Sequence, residues 1–369
     1  MYRHLPKCLY KGLCPKLNTN KIMKNKSRNN NILYEVVPIR LLLIVLLVFY
    51  HAFAIFSGAW SPIAGYPEIP LYDIIDKLSY TCLLETFVFI SGYILGFQVS
   101  KNGDGYIHNV TPFLTKKLKR LILPSILFSV IYMFLFNGYE MPLPTVVYNL
   151  LSGTGHMWFL PMLFWCFVFV FLAEKTRLSR KWMVGASFIM LFASLLPLPF
   201  RINTAMYYFV YFYIGYCIKR YELSFPYNGA RKYQLLIAGF VFAFMLKINV
   251  CEIDDLRTGG GILHALYLMF SISIRFVNAA IGTVLLMMLS KKFVDRSDTS
   301  KWNNMLNLSD CCFGVYIFQQ FILMLLEQTE LSQNVSPYIY PWITFLMTLF
   351  LSLVLTVIIR KTKIGSQLL

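Results

Sequence analysis

Apolar residues run along this chain in ten long stretches separated by short polar segments: about residues 39–57, 79–99, 121–137, 157–173, 182–197, 205–218, 233–250, 262–290, 309–327 and 340–360. A stretch of about 20 apolar residues matches the hydrocarbon thickness of a bilayer. Each is therefore expected to be a membrane-spanning helix, because lipid offers no hydrogen-bond partner to open backbone. The pattern predicts an all-α integral membrane fold, a bundle of about ten transmembrane helices. The eighth stretch is long enough to be tilted or broken.

The polar segments set the orientation. With the N-terminus inside, the segments predicted to be cytoplasmic hold 29 of the 34 Lys and Arg residues, which follows the positive-inside rule. The predicted outer loops carry Glu68, Asp73, Asp76, Glu140, Glu252, Asp254, Asp255 and Glu330 instead. Both termini are expected to be cytoplasmic. The same asymmetry accounts for the net charge of +17, which suits anionic lipid headgroups as the partner surface. A nucleic-acid partner is not expected, since the basic segments lack interleaved aromatics. Charged residues make up 14% of the chain and apolar ones 57%, against roughly 25% charged in a soluble domain. The domains expected are a disordered basic tail over 1–34 with no signal-peptide pattern, a transmembrane domain over 35–362 and a short tail over 363–369. The Lys- and Asn-rich composition suggests a bacterial plasma membrane. The eight cysteines show no metal-ligand spacing, so no metal site is expected, and Cys311-Cys312 is not expected to form a disulfide.

Ionisable groups inside spans are costly, about 2.5–3.5 kcal/mol for Arg, Lys or Asp on insertion scales, and are kept where they face a partner or a water-filled cavity. His51, Glu85, Arg275 and Asp310 are the internal candidates, with Arg40, His156, Arg201 and His264 near span ends. His51 lies eleven residues after Arg40. At 1.5 Å and 100° per residue it is about 16 Å away and within about 20° of the same helix face. One face thus carries a cation at the cytoplasmic edge and an imidazole near mid-bilayer. The imidazole either satisfies an interhelical hydrogen bond or acts as a base. Glu85, on the antiparallel second span, is a candidate to orient that imidazole, or else to pair with Arg275.

Further along, "FVFISGYILGF" (87–97) places Ser91, Gly92 and Gly96 where helices can approach closely, with Ser91 alternatively facing a ligand. In "KKLKRLILP" (116–124) Lys117 and Arg120 share a helix face at i, i+3. They serve either as cytoplasmic anchors or as a clamp for phosphates. In "GHMWFLPMLFW" (155–165) Trp158 is expected at the membrane interface, with His156 beside it as a second candidate histidine.

Taken together and in order, these stretches resemble the membrane-bound acyltransferase type 3 family over about residues 36–325. Arg40-x10-His51 resembles that family's first-helix motif, FVFISGY its Phe-rich Ser-Gly signature, KxxRLILP its basic pair, and HMWFLPMLF its His-x-Trp-Phe-Leu entry. FYIGYCI (212–218) and FGVYIFQQ (313–320) are weaker likenesses. The chain departs from the pattern where Gln319 and Gln320 follow Tyr316 in place of a histidine motif, at Glu35, and at Lys117 in place of Arg.

The resemblance implies transfer of an acyl group, usually acetyl, from cytoplasmic acyl-CoA to a hydroxyl of a cell-surface or lipid-linked glycan. It implies His51 as base or acyl carrier with Arg40 as its motif partner, and Lys117 and Arg120 as acyl-CoA contacts. Glu85 would orient His51, and Ser91 would add a contact to the donor. His156, Trp158 and Arg275 are the candidates for acceptor binding. The chemistry suits the residues. A sugar hydroxyl is a weak nucleophile, and an imidazole, which titrates near neutral pH, accelerates its attack by about 10²–10⁴ as a general base. The rival readings are a glycan or lipid transporter or flippase using Glu85 and Arg275 as a charge relay, and a structural subunit of an export complex. Homo-oligomerisation is left open.

Overall fold

The computed structural model describes residues 32–103, 105–108, 110–137, 141–223, 229–251, 261–297, 302–363 and 365–369. Residues 1–31 of the basic tail, and Glu140, Glu252, Asp254 and Asp255 of the predicted outer loops, lie outside the described residues. No strand occurs among the described residues.

The helices are α1 (Val36–Phe53), α2 (Pro70–Tyr80), α3 (Leu83–Asn102), α4 (Gly105–His108), α5 (Val110–Lys117), α6 (Leu123–Tyr132), α7 (Leu143–Ser152), α8 (Phe159–Lys175), α9 (Arg180–Ala193), α10 (Ile202–Arg220), α11 (Ala230–Cys251), α12 (Gly261–Arg296), α13 (Trp302–Glu327), α14 (Leu331–Asn334), α15 (Tyr340–Arg360) and α16 (Gly365–Leu368). All ten apolar stretches are helical. Among the described residues, eight helical segments are long and apolar enough to cross a membrane. The fifth and sixth stretches are not among them. α9 has 14 residues, about 21 Å at 1.5 Å per residue, short of a hydrocarbon core of about 30 Å. α10 has 19 residues, but its tyrosines, Asn203, Lys219 and Arg220 make it more polar.

α10 lies inside the bundle against α3, and small residues decide how closely. A Cβ on Gly92 would overlap the Phe212 carbonyl, one on Gly96 the Tyr216 carbonyl, and one on Gly215 the Phe89 carbonyl. Gly92 and Gly96 are four apart, the spacing that lets two helix backbones touch in lipid, where packing rather than hydrophobicity drives association. The end of this pair that carries Tyr93 and Lys219 is tied to the start of α1. Tyr93 donates to Glu35 at 2.9 Å, Lys219 pairs with the same carboxylate at 3.7 Å, and Ser290 of α12 donates to the Glu35 carbonyl at 2.6 Å.

The third span is not a plain α-helix. α5 passes into α6 through a π-helical turn, Leu118–Ile122. Pro124 has no N–H to offer the Arg120 carbonyl, so the ordinary i→i−4 bond there cannot form and the turn widens. This re-aims the segment that carries Lys117 and Arg120. The 54–69 strap that follows α1 turns back at Gly58 and Gly65, which adopt φ of +72° and +84°, a region that costs a residue with a Cβ.

Candidate functional site

A cavity of about 260 Å³ runs inside the bundle between α1, α3, α8, α13 and the π-helical turn. At one end stand Arg40, Lys117 and Arg120, with Gln98. Arg120 is exposed, and Arg40 and Lys117 are half-buried, so this end opens outward. No carboxylate is among its lining residues. The Lys117 ammonium sits over the Phe167 ring at 3.8 Å and near Phe113 at 5.6 Å, attractions that hold a desolvated cation in place. From there the walls are apolar: Ile44 and Leu47 of α1, Phe87 and Ile90 of α3, Phe159 and Leu163 of α8, Phe313 of α13. The other end is bounded by Leu47, Phe159 and Tyr316.

His51 stands one helical turn beyond Leu47 on α1, about 6 Å further along the axis. Gln319 stands one turn beyond Tyr316 on α13, and the two meet: His51 Nδ1 is 3.0 Å from Gln319 Oε1. Trp60, from the 54–69 strap, lies over the ring at 5.6 Å with the planes 30° apart.

His156 sits in the 3₁₀ turn Gly155–Trp158 that leads into α8. Besides the helical bond from the Phe159 N–H to its carbonyl, its bonds tie that turn to α13. Its backbone N–H donates to Gln320 Oε1 at 2.9 Å, its carbonyl accepts from the Tyr316 hydroxyl at 2.6 Å, and its Nε2 donates to the Ile317 carbonyl at 2.9 Å. Its Nδ1 is buried without a partner, and its charge would be felt by His51. Residues 316–320 of α13 are thereby clamped in rotation and depth.

The expected His51–Glu85 pairing is not formed. Glu85 is buried and accepts instead from the Tyr207 hydroxyl of α10 at 3.5 Å, within electrostatic reach of Lys247 and Arg275. Antiparallel neighbours bring the two residues to similar depth, but Glu85 points around α3 toward α10 and α12, while His51 points toward α13. Lys247 in turn donates to Thr81 at 3.2 Å. Arg275, the alternative partner, makes no ion pair with Glu85 among the described residues; it acts on that carboxylate only through its field, after Lys247. Ser91 lines the cavity, with its hydroxyl donating to the Phe87 carbonyl at 2.9 Å. Of the residues expected to bind an acceptor, His156 is near His51. Trp158 packs by Tyr208 and under the Arg201 guanidinium, and Arg275 belongs to the Glu85 cluster; neither lines the cavity.

Gln319, Gln320, Tyr316 and Trp60 are the residues whose roles the sequence did not disclose. Among the described residues no group of His, Cys, Asp and Glu is arranged to hold a metal, and Cys311 and Cys312 are free thiols. A family model described as an acyltransferase domain matches residues 39–361. No curated protein and no solved structure matches the chain.

Proposed function

Because the chain belongs to this acyltransferase-domain family, we propose that it is a multi-pass membrane O-acyltransferase that moves an acyl group, acetyl in the first instance, from acyl-CoA to a hydroxyl of a cell-surface or lipid-linked glycan. One observation carries this reading. Three cations from two separate helical segments converge on the open end of an apolar cavity whose far end lies one turn short of His51. That arrangement suits a donor with clustered phosphates at one end and a long, thin, weakly polar arm carrying a thioester at the other.

Arg40, Lys117 and Arg120 would bind the phosphates by charge-assisted hydrogen bonds, and the walls from Ile44 to Phe313 would enclose the pantetheine arm. The distance along α1 from Arg40 to His51, about 16 Å, is the reach the arm must have. At the thioester, His51 Nε2 takes the proton from the acceptor hydroxyl as its oxygen attacks the carbonyl carbon. The tetrahedral intermediate collapses, the C–S bond breaks, and the imidazolium returns the proton to the departing thiolate. The products are the glycan ester and CoA, and no other reactant is needed. With the basic segments inside, the phosphate end faces the cytoplasm and Trp60 faces the acceptor side.

The test is His51→Ala in membranes expressing the full chain, with acetyl-CoA labelled in the acetyl group. The wild type transfers label into alkali-labile ester on carbohydrate, and the variant, inserted to the same level, does not. Equal labelling by the variant refutes the role of His51. Absence of any acetyl-CoA dependence in the wild type refutes the reaction and favours transport.

A further inference from the structure

The closest polar partner of the His51 imidazole is a neutral amide, not the carboxylate that the sequence suggested. We infer that Gln319 is the positioning residue of this site: it fixes His51 in the Nδ1–H tautomer and so leaves Nε2 as the lone pair available for proton transfer. This inference rests on the proposed reaction for its consequence in catalysis, but the tautomer itself can be tested independently.

Gln319 Oε1 lies 3.0 Å from Nδ1. An amide oxygen only accepts, so Nδ1 carries the proton, and a neutral imidazole has only one N–H to give.

Gln319 is fully buried, so its side chain has no water to turn toward. The helix that carries it is held to the turn before α8 by three bonds within one and a half turns: Tyr316 hydroxyl to the His156 carbonyl, His156 Nε2 to the Ile317 carbonyl, and His156 N–H to Gln320. A partner that is itself clamped holds a catalytic group to within the tolerance that catalysis needs. His156 and Gln320 thus serve the site through Gln319, which explains why two adjacent amides occur in the middle of an apolar span.

The charged and titratable surroundings of His51 are sparse. Tyr50 lies beside it on α1, and His156 faces it from the turn before α8. From α2, Asp76 accepts from Ser57 and acts on Tyr50. From α3, Glu85 is engaged with Tyr207. An amide orients the ring without adding a charge to it, whereas a carboxylate in the same place would favour the protonated imidazole.

The full-length protein in lipid nanodiscs provides two readouts. ¹⁵N-histidine NMR, with His51 assigned by difference against His51→Ala, reports the tautomer directly. An Nδ1–H signal in the wild type that is lost or mixed in Gln319→Ala is expected, and an Nε2–H signal in the wild type overturns the inference whatever the enzyme does. Kinetics with acetyl-CoA and a mixture of mono- and disaccharides supplies the other. Gln319→Ala is expected to lower kcat at least tenfold, with the KM for acetyl-CoA within twofold, since a wrongly presented imidazole loses proton transfer and not donor binding. Gln319→Glu is expected to keep the geometry and move the acid limb of the kcat/KM profile to higher pH by about one unit or more. If Gln319→Glu leaves the limb where it is while His51→Ala abolishes turnover, the inference fails and the proposed function stands. If His51→Ala retains turnover, the function fails first.

Discussion

Removing the charge of Lys117 tests whether the cations at the cavity mouth hold an acyl-CoA donor, as proposed above. Lys117→Met keeps the length and apolar stem of the side chain, which lies on Phe167, so the local packing is retained. What is lost is one cation of the three that share the open end of the cavity with no carboxylate among them. A hydrogen bond to a charged group contributes about 1.5–3 kcal/mol, and each 1.4 kcal/mol is a factor of about ten. The KM for acetyl-CoA should therefore rise by about 10- to 150-fold, with kcat little changed, as for an interaction made equally in ground and transition states. The control is acetyl-pantetheine, which has the thioester and arm but no nucleotide phosphates. Its KM is high to begin with and should change less than twofold on the substitution. The coupling between the two changes, one in the protein and one in the donor, isolates the contact as a double-mutant cycle does. Equal effects on both donors, or no effect on acetyl-CoA, would refute the assignment of these cations to the phosphates. A fall in kcat alone would mean that Lys117 acts nearer the chemistry than its place in the cavity indicates.

Other consequences are as direct. Gly92→Ala places a methyl group onto the Phe212 carbonyl; overpacking of this kind costs about 1–3 kcal/mol or more, so the thermal midpoint in detergent should fall by several degrees, and an unchanged midpoint would contradict the close α3–α10 contact. Pro124→Ala restores an N–H for the Arg120 carbonyl and should let the π-helical turn revert to α-helix. The KM for acetyl-CoA then rises with folding intact, and an unaltered KM would show that the turn does not aim Arg120. Gln320→Leu leaves the buried His156 N–H without its acceptor, a loss of about 1–3 kcal/mol, read as lowered thermal stability and refuted by a stability equal to the wild type.

Much of this architecture was legible because membrane helices leave a strong trace. Long apolar runs have few alternatives in lipid, and each predicted stretch is a helix. The shared face of Lys117 and Arg120 was also readable, since their spacing fixes it, but that Arg40 joins them at one end of a cavity was not. The break between α2 and α3 at Thr81 and Cys82 was not, because neither residue forbids a helix. Nor was the π-helical turn, although Pro124 in the motif marked the carbonyl that would go unpaired.

The misreading of Glu85 has a simple geometric origin. Sequence gives the depth of a residue in the membrane, but its direction around the helix depends on which neighbours pack where. Gln319 stood out only as a departure from a histidine motif. An amide costs far less than a charge in hydrocarbon, so it points to no partner by itself, and its role appears only when α1 and α13 are seen side by side. His156 was singled out correctly as an unusual residue, yet its described bonds are made to α13 rather than to the cavity.

The stripe on α1 that carries Arg40, Ile44, Leu47 and His51 works as a ruler, and its graduations are counted in residues. Deleting one residue between Arg40 and His51 would turn the imidazole by about 100° against the cation, away from Gln319. Inserting seven would restore the facing but lengthen the gap by about 10.5 Å, beyond the reach that the proposed acyl-CoA donor would need to span. Substitutions along this segment are therefore open to variation where they keep an apolar surface, while any change in its length should be lethal to activity even when the protein inserts and folds.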